Sequence, residues 1–320
     1  MSRDAFYRKN GQPILSQDIE LEEDGIFVAM YYQFQEILTQ LNVSENYDLN
    51  RIDCELLLKW GLNAHAKKLE DNQYLIAMRS GVVGQVLTLM KESSVYFTSR
   101  YKCFSEKEAP IAFGSSFIWM QIFGHELGHI LRGHLDLQKR GEMNMLEEES
   151  TEVLFFDLPD DLYDNLNERQ FLIEMDADNF SATFVGQQLL MLISKSFEEE
   201  CFDIEELVSL CISSILIFFT FVSEQSVLNG RYPNPLTRAE TVISSLISFV
   251  DGKLPLSKLQ LDKIKSHALQ DTLSFLITGD EVVNLLGDEA IDHWMDSSSK
   301  AEHKYPAFSL YLSEKAIMLS

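Results

Sequence analysis

The sequence predicts a mainly α-helical protein of the α+β class, with a small sheet ahead of a central helix. Apolar residues recur at helical spacing over residues 26–41, 171–194 and 203–222. Residues 73–79 form a short apolar segment that ends just before Gly81, a pattern typical of a strand. The chain has 320 residues, of which 46% are hydrophobic. It is therefore long and apolar enough to bury a large core.

These patterns divide the chain into three parts. We predict an N-terminal helical segment over residues 1–60, a core over residues 61–250, and a C-terminal helical segment over residues 251–320 that packs on the core. Residues 1–24 are expected to be loosely packed.

Two local predictions concern the stretch that leads into the central helix. Residues 94–98, Ser-Val-Tyr-Phe-Thr, are predicted to be extended because β-branched and aromatic residues are typical of strands. Ser115 or Ser116, which follow Gly114, are predicted to cap the start of the central helix.

The charge of the chain restricts its partners. Lysine and arginine number 26 against 50 aspartates and glutamates, which gives a formal net charge of -24. So acidic a surface repels phosphate backbones and anionic membranes, so we predict neither a nucleic-acid nor a membrane partner.

The cysteines and the N-terminus indicate a reducing compartment. Cys54, Cys103, Cys201 and Cys211 are scattered, with no CxxC pair. The first ten residues carry charge and are not followed by the apolar core of a signal peptide. We therefore predict a cytoplasmic protein.

One apolar stretch tests that prediction. Residues 207–222 are apolar apart from serines and one threonine, but sixteen residues are fewer than the ~20 needed to span a bilayer. Acidic residues flank the stretch, with no basic anchor. A buried core helix is favoured, and attachment to a membrane stays open as an alternative.

The central helix carries the pattern HExxH at residues 125–129. On a helix, His125 and His129 leave the same face about one turn apart, so their nitrogens can reach one zinc ion at about 2.0–2.1 Å. Glu126 projects roughly 100° further round and is placed to hydrogen-bond a water at the metal. The pattern predicts a catalytic zinc site, with one Zn²⁺ per chain.

The third ligand must come from elsewhere in the chain. His134 is one residue short of the metzincin position, and we expect it to satisfy backbone groups or line the pocket. Glu174 completes a two-histidine, one-carboxylate set that leaves a position open for water. Asp178 lies one turn further along the same helical face, where it can fix the tautomer of a ligand histidine. Asp176 points to another face.

HExxH followed by Glu174-x-x-Ala177-Asp178 resembles the gluzincin pattern of the HtpX and CAAX-prenyl-peptidase type. Residues 63–66 and the strand at 74–79 are similar to the NAxA segment and edge strand of that fold. Residues 232–238 are similar to its HPxxxxR element, with tyrosine replacing the histidine. The resemblance implies a zincin-like catalytic core with a small sheet before the HExxH helix, embedded in further helices.

The string from His125 to His134 more specifically resembles the Lit-type peptidases, which are cytoplasmic bacterial or phage-encoded enzymes linked to phage exclusion. The resemblance covers roughly residues 60–245. It implies a role in antiviral defence, and it implies elongation factor Tu as the protein substrate.

The sequence thus predicts an intracellular zinc endopeptidase in which Glu126 is the general base. Tyr232 or Arg238 is predicted to stabilise the oxyanion, with helix capping and a salt bridge as their structural alternatives. The strand at 74–79 is predicted either to bind substrate by strand addition or to be a core strand.

Two further alternatives stay open. The chain is either an enzyme or a catalytically inactive zincin-like regulatory or protein-binding module with a structural zinc. If it is an enzyme, its activity is either constitutive or controlled by an activating or inhibiting protein partner.

Overall fold

The computed structural model describes most of the chain in separate ranges. These are residues 1–14, 25–43, 51–70, 73–102, 108–136, 138–139, 155–156, 166–199, 203–225, 235–276 and 304–310.

A four-stranded mixed sheet precedes the central helix, in the order β1-β2-β4-β3. Its strands are β1 (Gln12–Pro13), β2 (Ile52–Leu58), β3 (Ala64–Lys68) and β4 (Tyr74–Arg79). β2 runs parallel to β4, whereas β1 is antiparallel to β2 and β3 is antiparallel to β4. A helix, α1 (Arg3–Asn10), leads into β1.

Helices make up most of the described chain, so the predicted mainly α-helical class is confirmed. The remaining elements are α2 (Gly25–Asn42), α3 (Ser80–Arg100), α4 (Glu108–Leu131), β5 (Gln138–Lys139), β6 (Phe155–Phe156), α5 (Leu166–Glu199), α6 (Ile204–Gln225), α7 (Pro235–Val250) and α8 (Lys258–Leu276). We call the short helical stretch of residues 304–310 the C-terminal segment.

The prediction of an extended segment at 94–98 is wrong, because these residues lie inside α3. Met90, Ser94 and Phe97 are buried while Val95 is exposed, which is burial at the three- to four-residue spacing of a helix. The β-branched and aromatic residues of the segment indicated a strand, but packing of one helical face on the core decides its structure.

The central helix α4 begins earlier than predicted. It starts at Glu108, so Ser115 and Ser116 lie in its interior and do not cap it. Its other end agrees with the sequence. The helix stops at Leu131, and Gly133 takes a positive φ of 74°, which a helix C-terminus favours.

The first fourteen residues are anchored to the fold, contrary to the prediction of a loose start, while residues 15–24 lie outside the described residues. Phe6 is buried beneath the sheet, and β1 adds to the sheet beside β2. The sheet runs across residue 60, where the sequence suggested a boundary, and residues 1–60 contribute two of its strands. The division into three parts stays a prediction.

Residues 74–79 form an interior strand of the sheet. β4 pairs with β2 on one side and with β3 on the other, so its backbone groups are already used. Strand addition to residues 74–79 is therefore ruled out, and the alternative of a core strand is correct. The exposed edge on this side of the sheet is β3, which packs against α4.

The apolar helix α6 lies mostly inside the fold. Its stretch Ile204–Val222 is long and apolar enough to cross a membrane by length and composition, but 78% of that window is buried. It packs against α4, α7 and α8. Such burial is typical of a core helix, as the sequence favoured.

The helices α4 and α5 make the most extensive helix contact in the described chain. A β-carbon added at Gly124 would lie 3.2 Å from the Cα of Ser181, and one added at Gly128 would lie 3.3 Å from the Cα of Ala177. Gly124 and Gly128 are one turn apart on one face, so the two backbones approach closely there. This contact brings the HExxH face of α4 to α5.

Replacing Gly128 with valine is expected to force the two helices apart. We expect Gly128→Val to lower the free energy of unfolding by about 2 kcal/mol, the usual cost of overpacking a core. Urea unfolding followed by circular dichroism measures it. Gly84→Val in α3 is the matched control, because a β-carbon there meets only the exposed Trp60 ring at 3.7 Å. Equal losses for the two variants would contradict the close-approach argument.

Candidate metal centre

Three side chains converge between α4 and α5. His125 Nε2 lies 3.1 Å from His129 Nε2 and 3.3 Å from Glu174 Oε2. His129 Nε2 lies 3.9 Å from Glu174 Oε1. The three residues offer one ligand atom each, all within 4.8 Å of one another. The structure therefore brings together the three ligands predicted from the sequence.

These distances fit a zinc ion. Two ligand atoms at about 2.0–2.1 Å from a tetrahedral zinc lie about 3.3 Å apart. The spacings around His125 are close to that value, and a small rotation of Glu174 would bring its oxygen to His129 as well. Two imidazoles and one carboxylate are also the donor set of many catalytic zinc sites. The residues present therefore fit the group.

Asp178 and Arg238 hold His125 from behind. Asp178 Oδ1 lies 2.8 Å from His125 Nδ1, the contact predicted for this aspartate. Arg238 on α7 donates to both oxygens of Asp178, at 2.8 Å from Nε and 2.9 Å from Nη2. The guanidinium also lies over the ring of Phe219 on α6. His125 is thereby fixed by residues from three helices.

Arg238 therefore makes the salt bridge that was the structural alternative for this residue. Its Nη2 also lies 3.8 Å from Glu174 Oε2, so the guanidinium borders the ligand cluster. An oxyanion role for Arg238 stays a prediction. Tyr232, the other candidate for that role, lies outside the described residues.

Glu126 sits between the ligand cluster and the edge of the sheet. Its carboxylate accepts a hydrogen bond from the backbone N–H of Ala66 on β3. Burial raises the pKa of Glu126 above its ordinary value, and the neighbouring Glu174 adds to that effect. A carboxylate in such surroundings is a stronger base than one in water.

Sequence reasoning missed the place of His134. It is buried, with its Nδ1 2.9 Å from His129 Nδ1 and its Nε2 3.0 Å from Asp176 Oδ2. It therefore neither satisfies backbone groups nor lies on the ligand side of His129. Asp176 does point away from the ligand cluster, as predicted. His134 follows Gly133 after the helix end, so helical spacing gave no signal for this contact.

When no metal is bound, only one of the two histidines is protonated to the imidazolium at neutral pH, and it is His125. Burial and Arg238 lower the pKa of His125, but Asp178 and Glu174 outweigh them and raise it to about 9. Burial and the neighbouring His125 lower the pKa of His129 to about 3. Both histidines hold the pKa of the Glu174 carboxyl well below its usual range, although burial opposes this.

Comparisons of the chain with protein-family models, with curated proteins and with solved structures find no match. The likeness to gluzincins therefore rests on the sequence motifs alone. The family, the activity and the substrate are accordingly proposals.

Zinc affinity should rise with pH. Below its pKa of about 9, His125 holds a proton that zinc must displace, so we expect the affinity to rise about tenfold per pH unit between about pH 7 and 8.5. The charged and titratable neighbours of His125 are Asp178, Glu174, Glu126, His129 and Arg238. Competition with a chromophoric chelator measures the affinity.

Asp178→Asn is the control for this pH dependence. It removes the carboxylate that raises the pKa of His125, so the rise in affinity should level off at a lower pH than in the unaltered protein. An affinity that is constant between pH 7 and 8 would contradict the assignment of the proton to His125.

Glu174→Gln tests the third ligand. It keeps the shape of the side chain but removes its charge, and we expect zinc affinity to fall more than about a hundredfold, beyond the range for an outer residue. Asp178→Asn should cost less, on the order of tenfold. Zinc content and chelator competition measure both. A Glu174→Gln protein with normal zinc affinity would show that another group is the third ligand.

Proposed function

We propose that the chain is an intracellular zinc-dependent endopeptidase that hydrolyses a protein substrate. The observation that carries the proposal is the convergence of His125, His129 and Glu174 beside the half-buried side chain of Glu126. The resemblance to Lit-type peptidases supports a more specific form, an effector of phage exclusion that cleaves elongation factor Tu.

A zinc ion held by His125, His129 and Glu174 would supply Lewis acidity that polarises a peptide carbonyl and lowers the pKa of a bound water to about 7. Three protein ligands leave a coordination position open, whereas structural zinc sites are usually closed by four. This favours a catalytic zinc over the alternative of a structural one.

Glu126 is the general base in this proposal. Because burial raises its pKa, its carboxylate takes a proton from the attacking water more readily than an exposed glutamate would. The protonated carboxyl can then return the proton to the departing amine of the cleaved peptide bond. The same side chain thus serves both halves of the reaction.

The edge strand β3 offers a place for an extended substrate. Arg79 N–H donates to Asn63 O, and Leu69 N–H donates to Gln73 O, so the odd-numbered residues of β3 face β4. By the alternation of an antiparallel ladder, the backbone groups of Ala64 and Ala66 face the outer edge, where the Ala66 N–H is bonded to Glu126 and the Ala66 carbonyl would accept from a substrate N–H. A peptide added there lies next to Glu126, because Ala66 contacts that carboxylate.

Arg238 is the described candidate for stabilising the oxyanion. Its guanidinium lies beside Glu174 and His125 and is held in place by Asp178. A fixed positive charge at such a site lowers the energy of a developing negative charge, a contribution that reaches ~3 kcal/mol for a well-placed donor. Its contact with Asp178 serves the salt-bridge role at the same time.

Glu126→Gln separates catalysis from metal binding. We expect the variant to keep one zinc ion per chain and to lose proteolysis, because an amide cannot accept the proton of the attacking water. Zinc content is measured by elemental analysis. Cleavage is measured by mass spectrometry of new N-termini in a bacterial lysate incubated with each protein.

Glu108→Gln is the matched control, because Glu108 is an exposed glutamate on the same helix. It should leave both zinc content and cleavage unchanged. If unaltered protein and Glu126→Gln produce the same new N-termini while both bind zinc, the base is not Glu126. If the unaltered protein binds zinc but generates no new N-termini, the inactive zincin-like module is the better description.

A further inference from the structure

The second ligand histidine has a support of its own behind it. The turn at Gly133 directs the chain back under α4, so His134 is fully buried with its Nδ1 2.9 Å from His129 Nδ1. Its other ring nitrogen lies 3.0 Å from Asp176 Oδ2. His134 therefore bridges His129 on α4 and Asp176 on α5.

Ligand chemistry fixes the direction of these hydrogen bonds. If His129 uses Nε2 as its ligand atom, its Nδ1 must carry the proton and donate it to His134 Nδ1. A neutral His134 that accepts at Nδ1 has its own proton on Nε2 and donates that proton to Asp176. The geometry leaves one consistent tautomer for each ring.

The carboxylate of Asp176 is itself held in place. Arg132 donates to its two oxygens, at 2.8 Å from Nε and 3.1 Å from Nη2. This fork of the guanidinium on both oxygens is an ion pair, so the acceptor that His134 meets is a carboxylate paired with a fixed cation. A charged acceptor strengthens the hydrogen bond from His134.

The C-terminal segment completes this arrangement. Tyr305 donates from its hydroxyl to Asp176 Oδ1 at 2.9 Å, and Arg132 Nη2 lies 3.3 Å from Ser309 Oγ. Phe308 is fully buried, which anchors the segment to the fold. Residues more than 170 positions beyond His134 are thus joined to the candidate metal centre by side-chain hydrogen bonds.

We propose that His134 and Asp176 are a positioning pair for the ligand His129, and that the C-terminal segment holds this pair in place through Tyr305. The inference rests on the proposed zinc site but does not depend on proteolysis. Neither residue contacts the substrate or the metal. They set the tautomer and the ring orientation of His129.

The test uses the full chain and measures zinc affinity by chelator competition. We expect His134→Ala and Asp176→Asn each to weaken zinc binding about 10–100-fold, the usual effect of removing an outer hydrogen-bond partner. The two losses should not add in the double variant, because each change removes the same support. Tyr305→Phe should weaken binding several-fold.

The visible spectrum of bound Co²⁺ distinguishes positioning of His129 from a general contribution to stability, which would leave the spectrum unchanged. The visible bands of bound Co²⁺ report the geometry of its ligands, so we expect them to shift in His134→Ala and in Tyr305→Phe. Tyr101→Phe is the matched control, because it removes a buried tyrosine hydroxyl that bonds Ser213 away from the site. Its zinc affinity and cobalt bands should equal those of the unaltered protein.

The outcomes separate this inference from the proposed function. Losses that add, or cobalt bands and affinities in Tyr305→Phe that match those of Tyr101→Phe, overturn the positioning role. If His125→Ala keeps full zinc affinity, the zinc site and this inference fall together. Absence of proteolysis with these shifts present overturns the peptidase and leaves the positioning pair supported. Tyr305→Phe keeps the test decisive if His134→Ala does not fold.

Discussion

The close contact between α4 and α5 is the constraint on which the rest of the site depends. Gly124 and Gly128 have no β-carbon, so the backbone of α4 meets the backbone of α5 at Ala177 and Ser181. One turn before Ala177, Glu174 then faces both histidines of α4. Larger residues on this face would separate the helices and draw the carboxylate away from the imidazoles.

This contact buries three carboxylates of α5, and their negative charges must be balanced by positive ones. Glu174, Asp176 and Asp178 lie at alternate positions of one helix and are all buried. Arg132 pairs with Asp176 and Arg238 pairs with Asp178, which leaves Glu174 facing the two ligand histidines. Isolated buried charges are costly, so a positive charge at the histidines, in addition to Arg238 at 3.8 Å, stabilises the third carboxylate.

That positive charge can be supplied by a proton on His125 or, in the proposed metal-bound state, by a zinc ion. Without a metal, the raised pKa of His125 provides one positive charge beside Glu174. With a zinc ion in its place, the local charge is higher by one, and the nearby carboxylate of Glu126 offsets it. Metal binding and proton release are therefore coupled by the same group of buried charges.

The parts of the site that follow from local helical spacing could be predicted from the sequence. His125 with His129, and Glu174 with Asp178, are each four residues apart, and helix geometry alone places each pair on one face. The parts that depend on the path of the chain between elements could not. His134 reaches His129 only because the chain reverses at Gly133, and Tyr305 approaches from a distant segment.

The sheet gives the same lesson. The apolar composition of residues 74–79 identified a strand, but its position inside the sheet depends on a parallel pairing with β2, which lies earlier in the chain. No property of residues 74–79 alone distinguishes an edge strand from an interior one. The edge strand is β3, whose mixed composition of alanine, histidine and lysine gave only a weak strand signal.

The side chains that touch the two histidines from outside the ligand cluster indicate whether a metal here would be structural or catalytic. Every further acid or imidazole that touches the ligand histidines in the described chain does so at Nδ1, behind the rings: Asp178 behind His125 and His134 behind His129. None of these groups is directed at a fourth coordination position. Glu126 interacts electrostatically with His125 and Glu174 and accepts a hydrogen bond from Ala66 at the edge of the sheet. Candidate ligands that are held from behind, with a further carboxylate beside them, are what the hydrolytic role proposed above requires of this site.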